Sequence, residues 1–290
     1  MTSHLADLAE ILDTGEPVAS VYMGASAVPW SVRWIRVADQ LRSDGADPPT
    51  IRALHDAIAG RAEVAAFAGR SLEPRVLPVS GFTQPDLGRY TWPAHVLPVL
   101  AWLQERPACV IAVVGQTGAE LYAVPAGEHT GCAASSVLRT CEAVLDRTGS
   151  RLLVVCGDRL TAHALARRLS PVIEVHHLTS GPRSRARRVA DIMRAAARRW
   201  TDDAVADFSG RCRDRGLGVE GPRSTLDALA TGRVQELLVV HPDPTWCADE
   251  AVRTALLGGT RIRVLRPDTP GAPLGGIGGL CRSTLGVVRA

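Results

Sequence analysis

The sequence contains no lysine and no asparagine in its 290 residues, and all 33 of its basic residues are arginine. Schiff-base chemistry, a Walker-type phosphate loop and an asparagine ligand each need one of the missing side chains, so the sequence excludes all three. Codons for lysine and asparagine are rich in adenine. A GC-rich genome is therefore the simplest explanation of both absences, ahead of selection for guanidinium chemistry.

Aromatic residues make up only 4% of the chain, which argues against extended stacking of nucleic-acid bases on aromatic rings. The formal net charge of +3 is too small for a uniformly cationic coat, so any nucleic-acid surface must be local. The chain is 46% apolar and 22% charged, as in an ordinary globular protein. Its length predicts two or three domains.

The seven cysteines form no C-x-x-C pair and are odd in number, which argues against a zinc ribbon and a disulfide framework. We expect reduced, mostly buried thiols. The first residues lack the basic start and apolar core of a secretory signal, and no run of about 18 apolar residues occurs. The sequence therefore predicts a soluble cytoplasmic protein with no membrane partner.

Hydrophobic periodicity predicts α/β architecture along the whole chain. The first segment predicts a buried strand at 18–23, helices at 29–43 and 49–60, a strand at 75–79, a loop at 80–88 and a helix at 94–104. The second predicts a hairpin of strands 109–114 and 119–124, then alternating helix and strand: 135–147, 151–156, 161–169 and 172–178. The third predicts helices at 226–231 and 248–257, with strands at 234–240, 261–265 and 277–282. We place the domain boundaries at 1–106, 107–199 and 200–290.

The strongest charge feature is a cluster of seven arginines within seventeen residues, against a single acidic residue, Asp191. Helical spacing places positions 187, 191, 194 and 198 on one face, opposite an apolar stripe. Guanidinium groups bind phosphates in bidentate fashion, so these residues are our candidate RNA contacts. A solvated helix face, partly paired with Asp202, Asp203 and Asp207, is the alternative. This arginine cluster consists of Arg183, Arg185, Arg187, Arg188, Arg194, Arg198 and Arg199.

Other motifs are weaker. His176-His177 at the end of a strand, and His129 in a turn three residues before Cys132, lack the paired spacing of a zinc site. Gly157-Asp158 lies between a strand and a helix, where a ligand crevice or a simple helix cap would be placed. The glycine run 275–279 does not match a dinucleotide motif and predicts a turn before the last strand. We identify no catalytic constellation, no metal site and no cofactor site.

Three runs carry a resemblance to a known family. They are Val110–Val124 (VIAVVGQTGAELYAV), Leu152–Asp158 (LLVVCGD) and Thr225–Val240 (TLDALATGRVQELLVV). They resemble the archaeal and eukaryotic release-factor/Pelota superfamily, and more closely its bacterial branch of Balon-like ribosome hibernation factors and related actinobacterial proteins. Tyr22–Gly45, which contains Val32-Arg33-Trp34, resembles the start of that branch's N-terminal domain.

The resemblance implies three small mixed α/β domains. They are an N-terminal domain, a ribonuclease-H-like middle domain and a C-terminal domain that resembles release-factor domain 3 and kink-turn-binding ribosomal proteins. Such a tRNA-shaped chain would enter the ribosomal A site. The implied partners are the ribosome with its rRNA and an elongation factor, and no DNA is expected.

Two departures from the family bear on activity. Release factors hydrolyse peptidyl-tRNA with a Gly-Gly-Gln tripeptide on a long loop, and this sequence contains no Gly-Gly-Gln. Gly115-Gln116 falls in the hairpin turn, and the segment between Val124 and Ser135 is short. Stop codons are read by a motif that needs asparagine and lysine. We expect neither peptide release nor codon reading.

We therefore expect a non-catalytic, ribosome-associated factor of translation hibernation or stress, which contacts rRNA phosphates through the arginine cluster. One alternative is a divergent RNA hydrolase or peptidyl-tRNA hydrolase, whose metals would need clustered carboxylates. Three such groups within about 5 Å of one point would support it. The other alternative is a protein-binding module that no longer binds ribosomes. The carboxylates available to a hydrolase are Glu120, Glu128, Glu142, Asp146 and Asp158.

Overall fold

The computed structural model describes residues 2–179, 182–213, 217–242 and 245–282, whose strands form three sheets. The predicted class of mixed α/β structure is confirmed. By its contacts the chain divides into two compact units. One contains Leu103–Trp200, and the other contains His4–Trp102 together with the described residues from Thr201 onward. The division into three domains stays a prediction, because two of the sheets belong to the same unit.

The first sheet is antiparallel throughout, with strand order β3–β2–β1–β4. Its predicted strand at 18–23 is fully buried, as expected. The sequence did not predict α1, β2 or β4, and the loop expected at 80–88 is wrong at its end, where β4 begins. The elements are α1 (Thr2–Leu12), β1 (Val18–Met23), α2 (Trp30–Ser43), α3 (Pro48–Ile58), β2 (Val64–Ala68), β3 (Arg75–Pro78), β4 (Leu87–Thr91) and α4 (Leu97–Gln104).

Helices α2 and α3 cover one face of this sheet. Val37 and Leu41 of α2, and Leu54 and Ile58 of α3, are completely buried against it. Each such side chain contributes about 1.5–3 kcal/mol of hydrophobic stabilisation relative to exposure. Helix α3 begins where the Asp47 side chain accepts the Thr50 amide, with prolines in the first turn. The 3.6-residue periodicity of these segments predicted both helices.

Arg33 of helix α2 is a buried structural residue. Only 5% of it is exposed, and its Nε donates to Asp86 Oδ2 at 2.7 Å. The terminal nitrogen Nη2 bonds Asp86 Oδ1 and also donates to the Gly24 carbonyl at 2.6 Å. The hydrogen bonds to Asp86 raise the pKa of Arg33. Arg33 therefore ties α2 to the ends of β1 and the loop before β4.

The second sheet is mixed and lies in the other unit. An antiparallel meander β7–β6–β5 continues into the parallel pair β5–β8 and β8–β9. This is the hairpin followed by alternating helix and strand that the sequence predicted. Its elements are β5 (Cys109–Val114), β6 (Gly118–Val124), β7 (Glu128–Ala133), α5 (Val137–Thr148), β8 (Leu152–Cys156), α6 (Arg159–Arg168), β9 (Glu174–Leu178) and α7 (Pro182–Arg213).

Helices cover both faces of the second sheet. Helices α5 and α6 bury one face, where Val144 and Leu165 pack against Val110 and Leu153. The first half of α7 buries the opposite face, where Met193 packs among Leu152 and Val154. Because strands β5 and β8 are buried on both faces, they read as continuous apolar runs in the sequence.

The third sheet has the order β10–β13–β11–β12, with one parallel pair, β11 and β12. The predicted helix at 226–231 begins earlier, and β10 was not predicted. Gly275 and Gly276 form a turn with φ of 71° and 74°, as expected. Gly278 and Gly279, however, lie within the last strand. The elements are β10 (Gly218–Glu220), α8 (Pro222–Ala230), β11 (Val234–Val240), α9 (Ala248–Leu257), β12 (Arg261–Leu265) and β13 (Ile277–Cys281).

Polar contacts join the first and third sheets within their common unit. His95 Nδ1 lies 2.9 Å from Asp249 Oδ1 at the start of α9, and His241 Nε2 donates to Gln84 Oε1 at 2.7 Å. Burial, reinforced by the neighbouring His95, lowers the pKa of His241 to about 4. His241 is therefore neutral at physiological pH.

The cysteines match the expectation of reduced, mostly buried thiols. All seven are free, and five of them are buried. Burial raises the pKa of Cys109 and of Cys141 to about 12, so neither is ionised at neutral pH. Among the described helices, none has both the length and the apolar content needed to cross a bilayer.

Candidate nucleic-acid interface

Helix α7 carries the predicted arginine cluster on a scaffold that is fixed by packing. Its stripe of Val189, Met193 and Ala196 is buried against the second sheet, and Ile192 and Trp200 pack at its margins. These positions recur at the spacing of one helix face, which is why the sequence predicted the helix. The Arg151 guanidinium lies over the Trp200 ring at 5.2 Å from its centroid. The opposite side of α7 is therefore held toward solvent.

Five arginines of the cluster are exposed on that solvent side, including the three at 187, 194 and 198 that the spacing placed on one face. We call them the arginine face; they are Arg187, Arg188, Arg194, Arg198 and Arg199. From position 187 to position 198 the helix rises by about 16 Å. Arginine binds phosphate oxygens through a rigid, paired set of donors, so this face presents several such sites along one rigid rod.

Of the other two arginines of the cluster, Arg185 does not match the expectation of an outward guanidinium, and Arg183 is not tested. The side chain of Arg183 lies outside the described part of the structure. Arg185 is only half-exposed, and its Nε is buried with no hydrogen-bond partner among the described residues. Its position one turn from Val189 turns its stem toward the sheet, which accounts for the difference.

Two members of the arginine face are paired with carboxylates. Arg194 pairs with Asp191, three residues earlier on the same helix. Arg199 pairs with Glu174 of β9, whose Oε1 also lies 2.6 Å from His176 Nε2. Burial opposes ionisation of Glu174, but the hydrogen bonds from His176 and Arg199 outweigh it and lower the pKa of Glu174. The Arg194–Asp191 pair is exposed and contributes only about 0–1 kcal/mol, so a phosphate competes with it readily. Glu174 is partly buried, so its pair with Arg199 is displaced less readily.

The remaining three members, Arg187, Arg188 and Arg198, form no ion pair within the described residues. The sequence offered Asp202, Asp203 and Asp207 as neutralising partners. Of these, Asp207 Oδ1 accepts instead from Arg211 Nε at 2.9 Å, one turn further along α7. The arginine face thus keeps three uncompensated positive charges.

The carboxylates considered for a hydrolase are spread over β6, β7, α5 and the start of α6. Glu120 accepts from the Tyr122 hydroxyl at 2.7 Å, Glu128 pairs with Arg147, and Asp158 caps α6 by accepting the Thr161 amide. Over the described ranges, no three His, Cys, Asp or Glu side chains come together in a way that could hold a metal ion. The reading of Gly157-Asp158 as a helix cap is confirmed.

The histidine predictions have mixed outcomes. His177 Nε2 donates to the Gly157 carbonyl at 2.9 Å, so both histidines of the pair have partners. His129 was expected in a turn, which is wrong: it lies in β7 opposite Tyr122, and the two rings stack with centroids 4.7 Å apart. The error arose because β7 is polar and contains a single β-branched residue, Thr130, so it lacks the usual strand signal.

The segment expected to replace the long catalytic loop is itself mostly strand. Residues Glu128–Ala133 form β7, so the 125–134 segment returns along β6 as the third strand of a meander. Gly115 donates its amide to the Gly118 carbonyl at 2.8 Å, which confirms that Gly115-Gln116 belongs to the hairpin turn. A Cβ at Gly118 would collide with the Cys132 carbonyl oxygen, so β7 approaches β6 at a distance that only glycine permits.

No protein-family model and no curated protein matches the chain. Solved structures do match. The crystal structure of Archaeoglobus fulgidus Pelota is 13% identical, covers 97% of this chain and 92% of its own, and has a TM-score of 0.39. An archaeal Pelota in a model of the ribosome-bound complex with ABCE1 is 14% identical, with 97% and 94% coverage and a TM-score of 0.48.

Saccharomyces cerevisiae Dom34, described as a translation termination-like factor that interacts with Hbs1, also matches. It is 9% identical and covers 96% of this chain and 93% of its own, with a TM-score of 0.46. Identities and scores at this level assign no activity to this chain.

Proposed function

We propose that this protein is a non-catalytic, ribosome-associated factor of the release-factor/Pelota type, related to the Balon-like branch, that occupies the A site during hibernation or stress. The observation that carries the proposal is the arginine face on α7, with three guanidiniums free of ion pairs in the described chain. Its ligand is the phosphate backbone of ribosomal RNA.

The scaffold supports phosphate binding because α7 is already ordered. The buried stripe fixes the helix on the sheet, so binding does not have to order the backbone that carries the charges. Phosphate contacts position a protein on RNA without reading its sequence. That mode suits an interface made of arginines with little aromatic surface.

Peptide release and codon reading are not part of the proposed function. The chain has no Gly-Gly-Gln, asparagine or lysine, and its single Gly-Gln in that region closes the β5–β6 turn. The proposed role is to occupy the A site, where electrostatic contacts with rRNA hold the folded protein on the ribosome. A cytoplasmic location and an elongation-factor partner belong to the same proposal.

A pull-down of the tagged full chain from lysate of stressed cells, with and without ribonuclease, tests the proposal. We expect ribosomal proteins and rRNA in the untreated sample, and their loss after ribonuclease because the contact is to RNA. A partner set that ribonuclease leaves unchanged would indicate a protein-binding module. Shortened RNA or deacylated tRNA produced by the purified protein would indicate a hydrolase. Either result would contradict the proposal.

A further inference from the structure

A cleft of about 260 Å³ opens between α2 and α3, well separated in sequence from α7. This volume is slightly below the roughly 300 Å³ at which typical ligand sites begin, so it suits one small ligand. Its lining combines planar rings, apolar side chains and two guanidiniums: Trp34, Arg42, Pro48, Ile51, Arg52 and His55.

The aromatic wall of the cleft is a preassembled stack. Trp30 and Trp34, one helical turn apart, lie parallel with centroids 5.8 Å apart. His55 of α3 meets both rings edge-on, at 5.3 and 5.5 Å. The Trp30 indole N–H is buried with no hydrogen-bond partner in the described structure. Of these three rings, Trp34, which is 8% exposed, and the half-exposed His55 line the cleft, whereas Trp30 does not.

The cationic side of the cleft is formed by Arg42 and Arg52, both exposed. Arg42 pairs with Asp39 across one turn of α2, a contact that a stronger anion displaces at little cost. Arg52 forms no ion pair with any described residue. An aromatic ligand without charge would leave both guanidiniums unused, and an inorganic anion would leave the aromatic wall unused.

We propose that the α2–α3 cleft binds a nucleoside 5′-phosphate. The planar base lies against the His55 ring and the exposed edge of Trp34, and the phosphate is held by Arg52 and Arg42. This site is independent of the arginine face, and it gives the protein a small-molecule ligand beyond the RNA of its proposed function.

Titration of the full chain with adenosine 5′-monophosphate, followed by tryptophan fluorescence and calorimetry, tests the proposal. We expect saturable binding with a Kd below about 1 mM. Adenosine and ribose 5-phosphate, which each lack one half of the ligand, should bind at least about tenfold more weakly. Equal binding of ribose 5-phosphate, or no saturation by the monophosphate, would overturn the proposal.

Arg52→Gln should weaken binding of the monophosphate by about tenfold or more, because it removes a charge-assisted contact. Arg61→Gln, an exposed arginine just beyond α3 that does not line the cleft, is the matched control and should bind as the wild type does. Tighter binding of a short oligoadenylate than of the monophosphate, lost in Arg52→Gln, would assign the cleft to single-stranded RNA and overturn the proposal.

Ribosome co-sedimentation separates this proposal from the proposed function. Arg52→Gln should pellet with ribosomes as the wild type does, since Arg52 is not part of the arginine face. Nucleotide binding by a protein that fails to pellet would leave the cleft assignment standing and reject only the ribosomal role.

Discussion

Replacing Arg187, Arg188 and Arg198 with glutamate is expected to abolish co-sedimentation with ribosomes and to leave the fold intact. These three guanidiniums have no ion pairs in the described structure, and their side chains point to solvent. Each charge-assisted hydrogen bond to phosphate contributes about 1.5–3 kcal/mol, so losing three weakens binding by roughly a thousandfold or more. Reversal adds repulsion from the rRNA backbone. Glutamate and arginine have similar helix propensities, so α7 should persist.

The matched control is the same reversal on α6, at Arg159, Arg167 and Arg168, which are also exposed and lie in the same unit. This control changes the net charge equally and should retain most of the binding. Both variants should give the circular dichroism spectrum of the wild type. Equal loss of pelleting in both would show that binding depends on overall charge, and retained pelleting of the α7 variant would place the RNA contacts elsewhere.

Arg33→Met is expected to lower the free energy of unfolding of its unit by about 3 kcal/mol, the lower end for breaking a buried ion pair. The substitution removes the Arg33 donors from the Gly24 carbonyl and from the Asp86 carboxylate, which keeps the bond from the Gly24 amide at 3.3 Å. The lower end applies because Asp86 is 26% exposed and regains some hydration. Urea denaturation, with hydrogen exchange of the α2 amides, measures the effect.

Arg36→Met, three residues along the same helix and exposed, is the control for Arg33→Met. It should change stability by less than about 0.5 kcal/mol, as surface substitutions usually do. The double variant Arg33→Met with Asp86→Asn should recover part of the loss, because the uncompensated charge is removed. Wild-type urea resistance of Arg33→Met would show that the buried pair makes no net contribution.

The sequence predicted best where apolar periodicity and turn chemistry agreed. The β5–β6 hairpin has two β-branched runs around Gly115 and Gly118, and α7 has an apolar stripe opposite its charges. The hairpin strands were predicted to within one residue. The helix predicted around Val189–Trp200 lies inside the longer α7, which continues to Arg213 past the predicted domain boundary. The order of these elements predicted the mixed sheet and four of its five strands, all but β7.

The missed strands lack those local signals. Strand β2 (Val64–Ala68) is mostly alanine, a weak strand former, and is specified by pairing with β1 and β3. Strand β4 contains Gly88, where a Cβ atom would lie only 2.6 Å from the Val37 carbonyl oxygen of α2. Glycine therefore lets the helix and the strand approach each other. Strand β7 is a polar edge strand defined by its register with β6. In each case the tertiary partner, not the local sequence, determines the structure.

The sequence predicted where the candidate interface lies on α7, but not which of its arginines are neutralised by carboxylates. Helical spacing correctly placed Arg187, Arg194 and Arg198 on one outward face. The pairing of Arg199 with Glu174 depends on how β9 lies beside α7, which no spacing rule gives. The half-buried position of Arg185 likewise depends on tertiary packing. The α2–α3 cleft went unnoticed because its aromatic and cationic residues come from two helices.

The most direct test of the arginine face is the affinity of the full chain for ribosomes as a function of salt. Five guanidinium–phosphate contacts predict that the logarithm of the association constant falls linearly with the logarithm of salt concentration, with a slope of about −4. Each phosphate contact contributes about −0.7 to −0.9 to this slope. The α7 triple variant keeps two contacts, so the slope of its residual binding should be about −1 to −2. A wild-type affinity that does not change with salt would contradict phosphate binding by this face.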